Sequence, residues 1–300
     1  MKRFFLSFLL FSLLLCSSSC SHDEIKNKWK EYQTLIVTSS ISEMLPALKP
    51  EVNYYPDDGI WIKENTPDSS FTWEGSTLSG SYIWSMYNNL CSFVTDYYQT
   101  QSGIEFSYKC DTSDLVSFNF MNKSYFETET LLNDIEDAPA KTEQISDNLA
   151  ATILGNLAHY SKRISSTTTQ EEIDGTTYEI TYYYYTYYKE ICGYPSSDFC
   201  VIRTTSKGHI VSMYKGEIGA FDNATLQIDN SRVQISIAER LNELFEGASC
   251  SILETNIKDQ VLMITPDGYY CIRSNINLTF SNETNNDSII LCLYTIIKEQ

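Results

Sequence analysis

The chain has 300 residues, 21 basic and 39 acidic side chains, and a formal net charge of −18. So acidic a surface lacks the Lys and Arg that displace counterions from phosphate, which sets nucleic acid aside as a partner, and it is not drawn to anionic lipid by charge. Hydrophobic residues at 42% and aromatics at 13% exclude a disordered chain and point to a folded, β-rich one.

Lys2 and Arg3 open the chain, and Phe4 to Leu15 follow as an apolar run broken only by Ser7 and Ser12. The run is about 12 residues, short of the roughly 20 that a spanning helix needs. Cys16, Ser17, Ser18, Ser19 and Cys20 then complete an export signal, with small residues at Ser17 and Ser19 ahead of the cleavage point. A cysteine placed there resembles the lipobox of bacterial lipoproteins, whose thiol is acylated and becomes the mature N-terminus. The resemblance implies a signal peptide over 1–19, lipidation at Cys20, and a lipid bilayer as partner. It also implies a cell-envelope location, on the outer membrane or cell surface if the cell is a diderm. Ser17 stands where that family usually has Leu, and simple secretion with the same cleavage is the alternative. Ser21, His22, Asp23 and Glu24 are similar to the acidic export tag of surface lipoproteins.

Residues 20–70 read as a tether and an irregular segment punctuated by Pro46, Pro50, Pro56 and Pro67. In Ser79 to Thr100, Ile83, Met86, Tyr87, Leu90, Phe93 and Val94 recur at steps of three and four, which predicts an amphipathic helix. Ile104 to Lys109 and Leu115 to Phe120 alternate around Asp111–Asp114 and predict a hairpin. Together these form an N-terminal α+β unit over 71–134. Acidic Asp134 to Lys141 marks a boundary. Thr142 to Lys162 predicts a helix with Ile145, Leu149, Ile153, Leu154 and Leu157 on its buried face. Ser165 to Gln170 reads as a polar loop, Asp174-Gly175 as a turn, and Tyr178 to Tyr188 as a long strand. Phe199 to Thr205 and His209 to Tyr214 are strands around Ser206-Lys207-Gly208. A second helix begins at the Ser236/Glu239 capping box, or earlier near Asn230, and buries Ile237, Leu241, Leu244 and Phe245 ahead of Gly247. Strands follow at Ser251 to Ile257, Gln260 to Ile264, Tyr269 to Phe280 and Ser288 to Ile297, with Pro266-Asp267-Gly268 as a turn. The predicted fold class is α+β: tandem helix-plus-antiparallel-meander units over 142–215 and 230–300, with helices packed on one face of antiparallel sheets.

Asp174-Gly-Thr-Thr-Tyr178-Glu-Ile and Val201-Ile-Arg-Thr-Thr-Ser-Lys-Gly208-His-Ile-Val211 resemble the turn and closing hairpin of the PepSY family. Pro266-Asp-Gly-Tyr-Tyr270, after the helix at 236–246, repeats the opening. Ser206-Lys207 replaces the acid that the family carries before its Gly turn, and the second copy has no clear closing turn. The resemblance implies two PepSY-like units in a non-catalytic extracytoplasmic domain of the kind that restrains or regulates proteases.

Seven cysteines remain once Cys16 and Cys20 are set aside: Cys91, Cys110, Cys192, Cys200, Cys250, Cys271 and Cys292. Export permits disulfides. Cys192 and Cys200 flank a turn-rich segment and predict a hairpin-closing bridge; Cys91 with Cys110 is a second candidate pair, and an odd count leaves a thiol over. His22, His159 and His209 are scattered and no C-x-x-C exists, so no metal and no cofactor is expected. Ser212-Met-Tyr-Lys215 matches S-x-x-K, but on a strand its Ser and Lys face opposite sides. No catalytic residue is expected. Among Tyr182 to Tyr188, alternation puts Tyr183, Tyr185 and Tyr187 on one face, the candidate partner-binding surface, and Tyr182, Tyr184 and Tyr188 on the other. The expected function is an anchored ectodomain that binds or regulates a protein partner. The alternative is a glycan- or substrate-binding accessory lipoprotein of an envelope uptake system.

Overall fold

The computed structural model of the chain describes residues 34–36, 60–88, 93–120, 134–173, 175–245, 251–264, 269–281 and 286–297. The N-terminal half carries β1 (Thr34–Ile36), β2 (Ile60–Trp61), β3 (Ser69–Trp73), β4 (Ser76–Asn88), β5 (Phe93–Gln99), β6 (Glu105–Lys109) and β7 (Leu115–Asn119). Helix α1 (Ala138–Leu154) leads through a short 3-10 turn into β8 (Ser161–Ile173), β9 (Thr176–Ile191), β10 (Tyr194–Thr205) and β11 (Ile210–Lys215). Helix α2 (Asn230–Phe245) precedes β12 (Ser251–Ile264), β13 (Tyr270–Ser281) and β14 (Asn286–Ile296).

The expected α+β layout is corrected here. Among the described residues strand covers 58% and helix 17%, in two helices. The strands do not close into separate units. They join laterally into one mixed sheet, in the order β1-β14-β13-β12-β10-β11-β7-β6-β5-β4-β2, with β3 on β4 and β8 and β9 branching from β10. The physical reason is edge satisfaction. A meander of three or four strands leaves two rows of unpaired backbone groups, and here β11 satisfies part of one row against β7 over three residue pairs, while β10 touches β12 at Ser196 and Leu262.

The expected helix over Ser79 to Thr100 is instead the hairpin β4–β5, with Tyr82 opposite Tyr98 and Tyr87 opposite Val94. Gly80, four serines and the aromatic and β-branched residues of this stretch are poor helix formers. The hairpin at β6–β7 forms as expected. Helix α1 begins earlier and ends earlier than its periodicity suggests: Pro139 opens it, and Gly155, at φ 74, stops it. The expected polar loop at Ser165 to Gln170 lies inside β8. Asp229 caps α2 by accepting from the Ser231 and Arg232 amides, so the helix starts at the earlier of the two expected points. The turn at 266–268 lies outside the described residues.

Two cores result. Phe71, Tyr98, Phe106, Phe118 and Phe120 pack under β3–β7 and continue to Ala150, Tyr185 and Ile202 beneath α1. Val233, Ile237 and Leu241 of α2 pack on Leu262, Ile272, Ile276, Leu278, Leu291 and Leu293 of β12–β14. The cores meet at a bulge in β10. There Pro195 still opposes Glu190, but the next pair is Phe199 with Tyr188, so Ser196 to Asp198 bow out of the β9 ladder. The freed backbone meets β12 through the parallel pair Ser196 and Leu262. Asp198, fully buried, accepts hydrogen bonds from the Tyr160 hydroxyl at 2.7 Å and the Gly219 amide at 2.9 Å, tying the following loop to the junction.

That loop also holds Glu217, one of whose carboxylate oxygens is buried without a hydrogen-bond partner. Burial pushes this carboxyl up to about 7, against the pull of Lys109. Between its ordinary value of 4.5 and about 7 the folded chain keeps a proton that the unfolded chain has released, so stability falls as pH rises through that window. Glu217→Gln is expected to recover up to about 3 kcal/mol at pH ~8 and nothing at pH ~4. Denaturant titrations of both proteins at the two pH values check this, and parallel pH profiles would refute it.

Candidate functional site

The tyrosine strand was the sequence's best candidate, and the structure places both of its faces. Tyr185 and Tyr187, expected to face outward, are 1% and 2% exposed. Helix α1 lies over them. Along its centre runs a ladder of small residues four apart, Thr142, Ser146 and Ala150, all fully buried. They let the helix approach the sheet closely and receive the tyrosine hydroxyls. The Tyr185 hydroxyl lies 2.8 Å from Thr142 Oγ1, and that of Tyr187 lies 3.0 Å from Ser146 Oγ and 2.7 Å from Asp147 Oδ1. Burial first, and the Asp147 carboxylate with it, pushes the Tyr187 hydroxyl well above the usual phenol range. Tyr183 is half-buried beside the same core. The expected binding face is therefore a packing face. Alternation assigned the two sets of side chains to opposite sides, but which side a helix covers is set by residues some 40 positions away.

On the other face, Ile180, Tyr182 and Val211 form a small core flanked by Tyr178 and Tyr184. The Arg203 guanidinium sits 3.9 Å from the Tyr182 ring centre and 5.1 Å from that of Tyr184. Burial, followed by the neighbouring Glu171, pushes the Tyr182 hydroxyl up to about 12, and this hydroxyl donates to Glu171 at 3.3 Å.

Beside the tyrosine strand lies the feature the sequence reading missed. β8 pairs with β9 over thirteen residues in unbroken register, from Ser161 opposite Tyr188 to Ile173 opposite Thr176. On its other side no strand pairs with it among the described residues. Lys162 to Thr168 are exposed on both faces, including Ile164 at 48%. The closing pair of a two-residue hairpin exchanges its hydrogen bonds. Counting back from Ile173 and Thr176, odd-numbered residues of β8 therefore bond β9. Lys162, Ile164, Ser166, Thr168 and Gln170 aim their backbone groups at the open side. The terminal strands of the main path are different: β1 has three residues and β2 has two. A signal for β8 existed in the sequence. The Asp174-Gly175 turn demands a strand on both sides, and Ser166-Thr-Thr-Thr169 is rich in β-branched residues.

The cysteine expectations are also corrected. No disulfide forms among the described residues. Cys192 sits with Gly193 in the two-residue turn between β9 and β10, at φ 52 and φ 84, while Cys200 lies well inside β10 opposite Tyr187. The turn-rich segment between them is mostly strand, so the two thiols occupy a tip and a core. Burial pushes the Cys200 thiol up to about 12. Cys20 and Cys91 lie outside the described residues. Cys110 faces no cysteine there. Its sulfur lies 2.5 Å from Lys63 Nζ and 3.1 Å from Asp96 Oδ2, and Asp96 also pairs with Lys63 at 2.7 Å and accepts from Ser85. Burial, together with the Asp96 carboxylate, keeps this thiol above its ordinary range despite Lys63, and so in its less nucleophilic, protonated form. The cluster clamps the Lys63 segment to β4 and β5.

The chain matches no family model, no curated protein and no solved structure.

Proposed function

We propose that the protein is an exported lipoprotein, anchored to the cell envelope through acylated Cys20, whose non-catalytic ectodomain binds a protein partner by adding that partner's extended segment to β8. The anchor rests on the residues of 1–20, and no described helix is long and apolar enough to cross a membrane. The single observation that carries the binding role is the open edge of β8, exposed on both faces beside a packed sheet. An incoming strand would gain main-chain hydrogen bonds from the even-numbered residues, while Ile164 and its neighbours would read its side chains. A thirteen-residue strand that pairs with β9 alone among the described residues, and is exposed over Lys162 to Thr168, suits capture of another chain.

The intact mass of detergent-extracted protein, together with in-cell photo-crosslinking from position 164, tests this reading. The expected result is a chain starting at Cys20 with diacyl- or triacylglyceryl mass, plus a protein adduct that Ser166→Pro abolishes. Proline at 166 removes an outward N–H and leaves the β9 ladder intact. A mass without lipid removes the anchor, and the absence of any protein adduct removes the strand-addition role.

A further inference from the structure

The β8 edge carries its own charge code. Its basic residues, Lys162 and Arg163, lie at one end, and Glu171 and Glu172 lie at the other, with Ile164 and then Ser, Thr and Gln between. We infer that the strand added to β8 is β8 of a second copy of this chain, paired antiparallel about a twofold axis at Thr167. The inference rests on the strand-addition reading of this edge and names the partner.

Three observations carry it. First, a twofold at Thr167 sets Lys162 opposite Glu172, Arg163 opposite Glu171, Ile164 opposite Gln170 and Ser166 opposite Thr168. Each charged pair therefore meets its opposite, and each occurs twice because the interface is isologous. Second, the backbone agrees. Residues that oppose each other with sums of 334 are both even or both odd, so the outward-aimed even positions meet outward-aimed even positions and exchange hydrogen bonds. A slip by one residue would set outward groups against inward ones and abolish the ladder. A slip of the axis by one position, to Ser166 or Thr168, keeps the ladder but loses the charge match: Arg163 would then face Thr169 or Ile173. Third, the side chains flanking the edge leave it open. On the α1 side Lys162 is held by Glu143 at 2.5 Å and Asp147 at 2.9 Å, which keeps it folded back over its own helix. On the other side Arg163 rests over the Tyr188 ring and Glu171 accepts from Tyr182. Lys162 is thus already paired within its own protomer, and the cross-strand charge match falls to Arg163 and Glu171, whose contacts with Tyr188 and Tyr182 keep them off the backbone edge. The result is one continuous sheet running from β11 through β8 of one protomer into β8 and β11 of its partner.

The test uses detergent-extracted full-length protein and its molar mass by light scattering, corrected for detergent, across a concentration series. Wild type is expected to contain two chains. Arg163→Glu alone and Glu171→Arg alone each set like charges opposite each other twice, and each should weaken the dimer about tenfold or more. The double exchange, Arg163→Glu with Glu171→Arg, should restore it. Ser166→Pro should give one chain with an unchanged circular dichroism spectrum. A wild-type chain that stays monomeric, or a double exchange as weak as the single ones, overturns the inference. An adduct from position 164 to a different protein would then leave strand addition standing with another partner. The absence of any adduct would remove both.

Discussion

Tyr185→Ala is expected to lower the stability of the protein by about 3–5 kcal/mol. The ring is 1% exposed and sits where α1 crosses β9 and β10, inside the core that also holds Ile202, Met213 and Ala150. Truncation leaves a cavity under a helix whose facing residues, Thr142, Ser146 and Ala150, are too short to fill it. It also removes the phenol beside Thr142 Oγ1 and Pro139 O, at 2.8 and 3.3 Å. Tyr185→Phe keeps the ring and should cost only about 1 kcal/mol, the worth of the hydrogen bond. The same pair of substitutions at half-buried Tyr183 should cost less in each case. Urea titrations of the four variants decide the matter. If Tyr185→Ala melts like wild type, α1 does not cover this face, and the tyrosine face would be open to a partner after all.

The second large effect is at Gly216. A Cβ built there would lie 2.0 Å from the Ser197 carbonyl oxygen and 2.8 Å from the Phe199 ring. The backbone cannot step aside without loss. The Gly216 amide donates to Phe199 O at 2.8 Å, and the Glu217 amide donates to Ser197 O at 2.9 Å. Both bonds hold the loop against the bulge of β10, the place where that strand leaves β9 and meets β12. Gly216→Ala should therefore cost about 3 kcal/mol or more, at the upper end of overpacking effects. Because the bulge joins the two cores, unfolding should also lose cooperativity, with the α2 core and the α1 core melting apart. Gly193→Ala is the control. At φ 84 with open space around it, it suffers backbone strain alone, about 1–2 kcal/mol. Equal costs at the two glycines would mean that the close approach at Gly216 is absent.

These two sites show what could be read from neighbouring residues and what could not. The hairpin at β6–β7, the long tyrosine strand, the turn with Gly208 at φ 89, and α2 with Ile237 and Leu241 inward are all legible, because turn chemistry and hydrophobic period are fixed by residues a few positions apart. The β4–β5 stretch misled because apolar residues at steps of three and four fit a helix as well as a bulged strand. Its choice of strand came from partners such as Lys109, opposite Thr95. β8 was hidden by its polarity: an edge strand exposed on both faces has no alternation to show.

The local alphabet thus settles where this chain turns, which stretches alternate, and that its first twenty residues carry an export pattern. It leaves open which face of the tyrosine strand α1 covers, how the meanders fuse at Ser196 to Asp198, and which edge stays open. Those outcomes depend on contacts between residues tens of positions to nearly a hundred apart, such as Thr142 with Tyr185 and Phe118 with Met213. Such contacts are won by competition among many surfaces of similar apolarity, and no window along the chain contains both competitors.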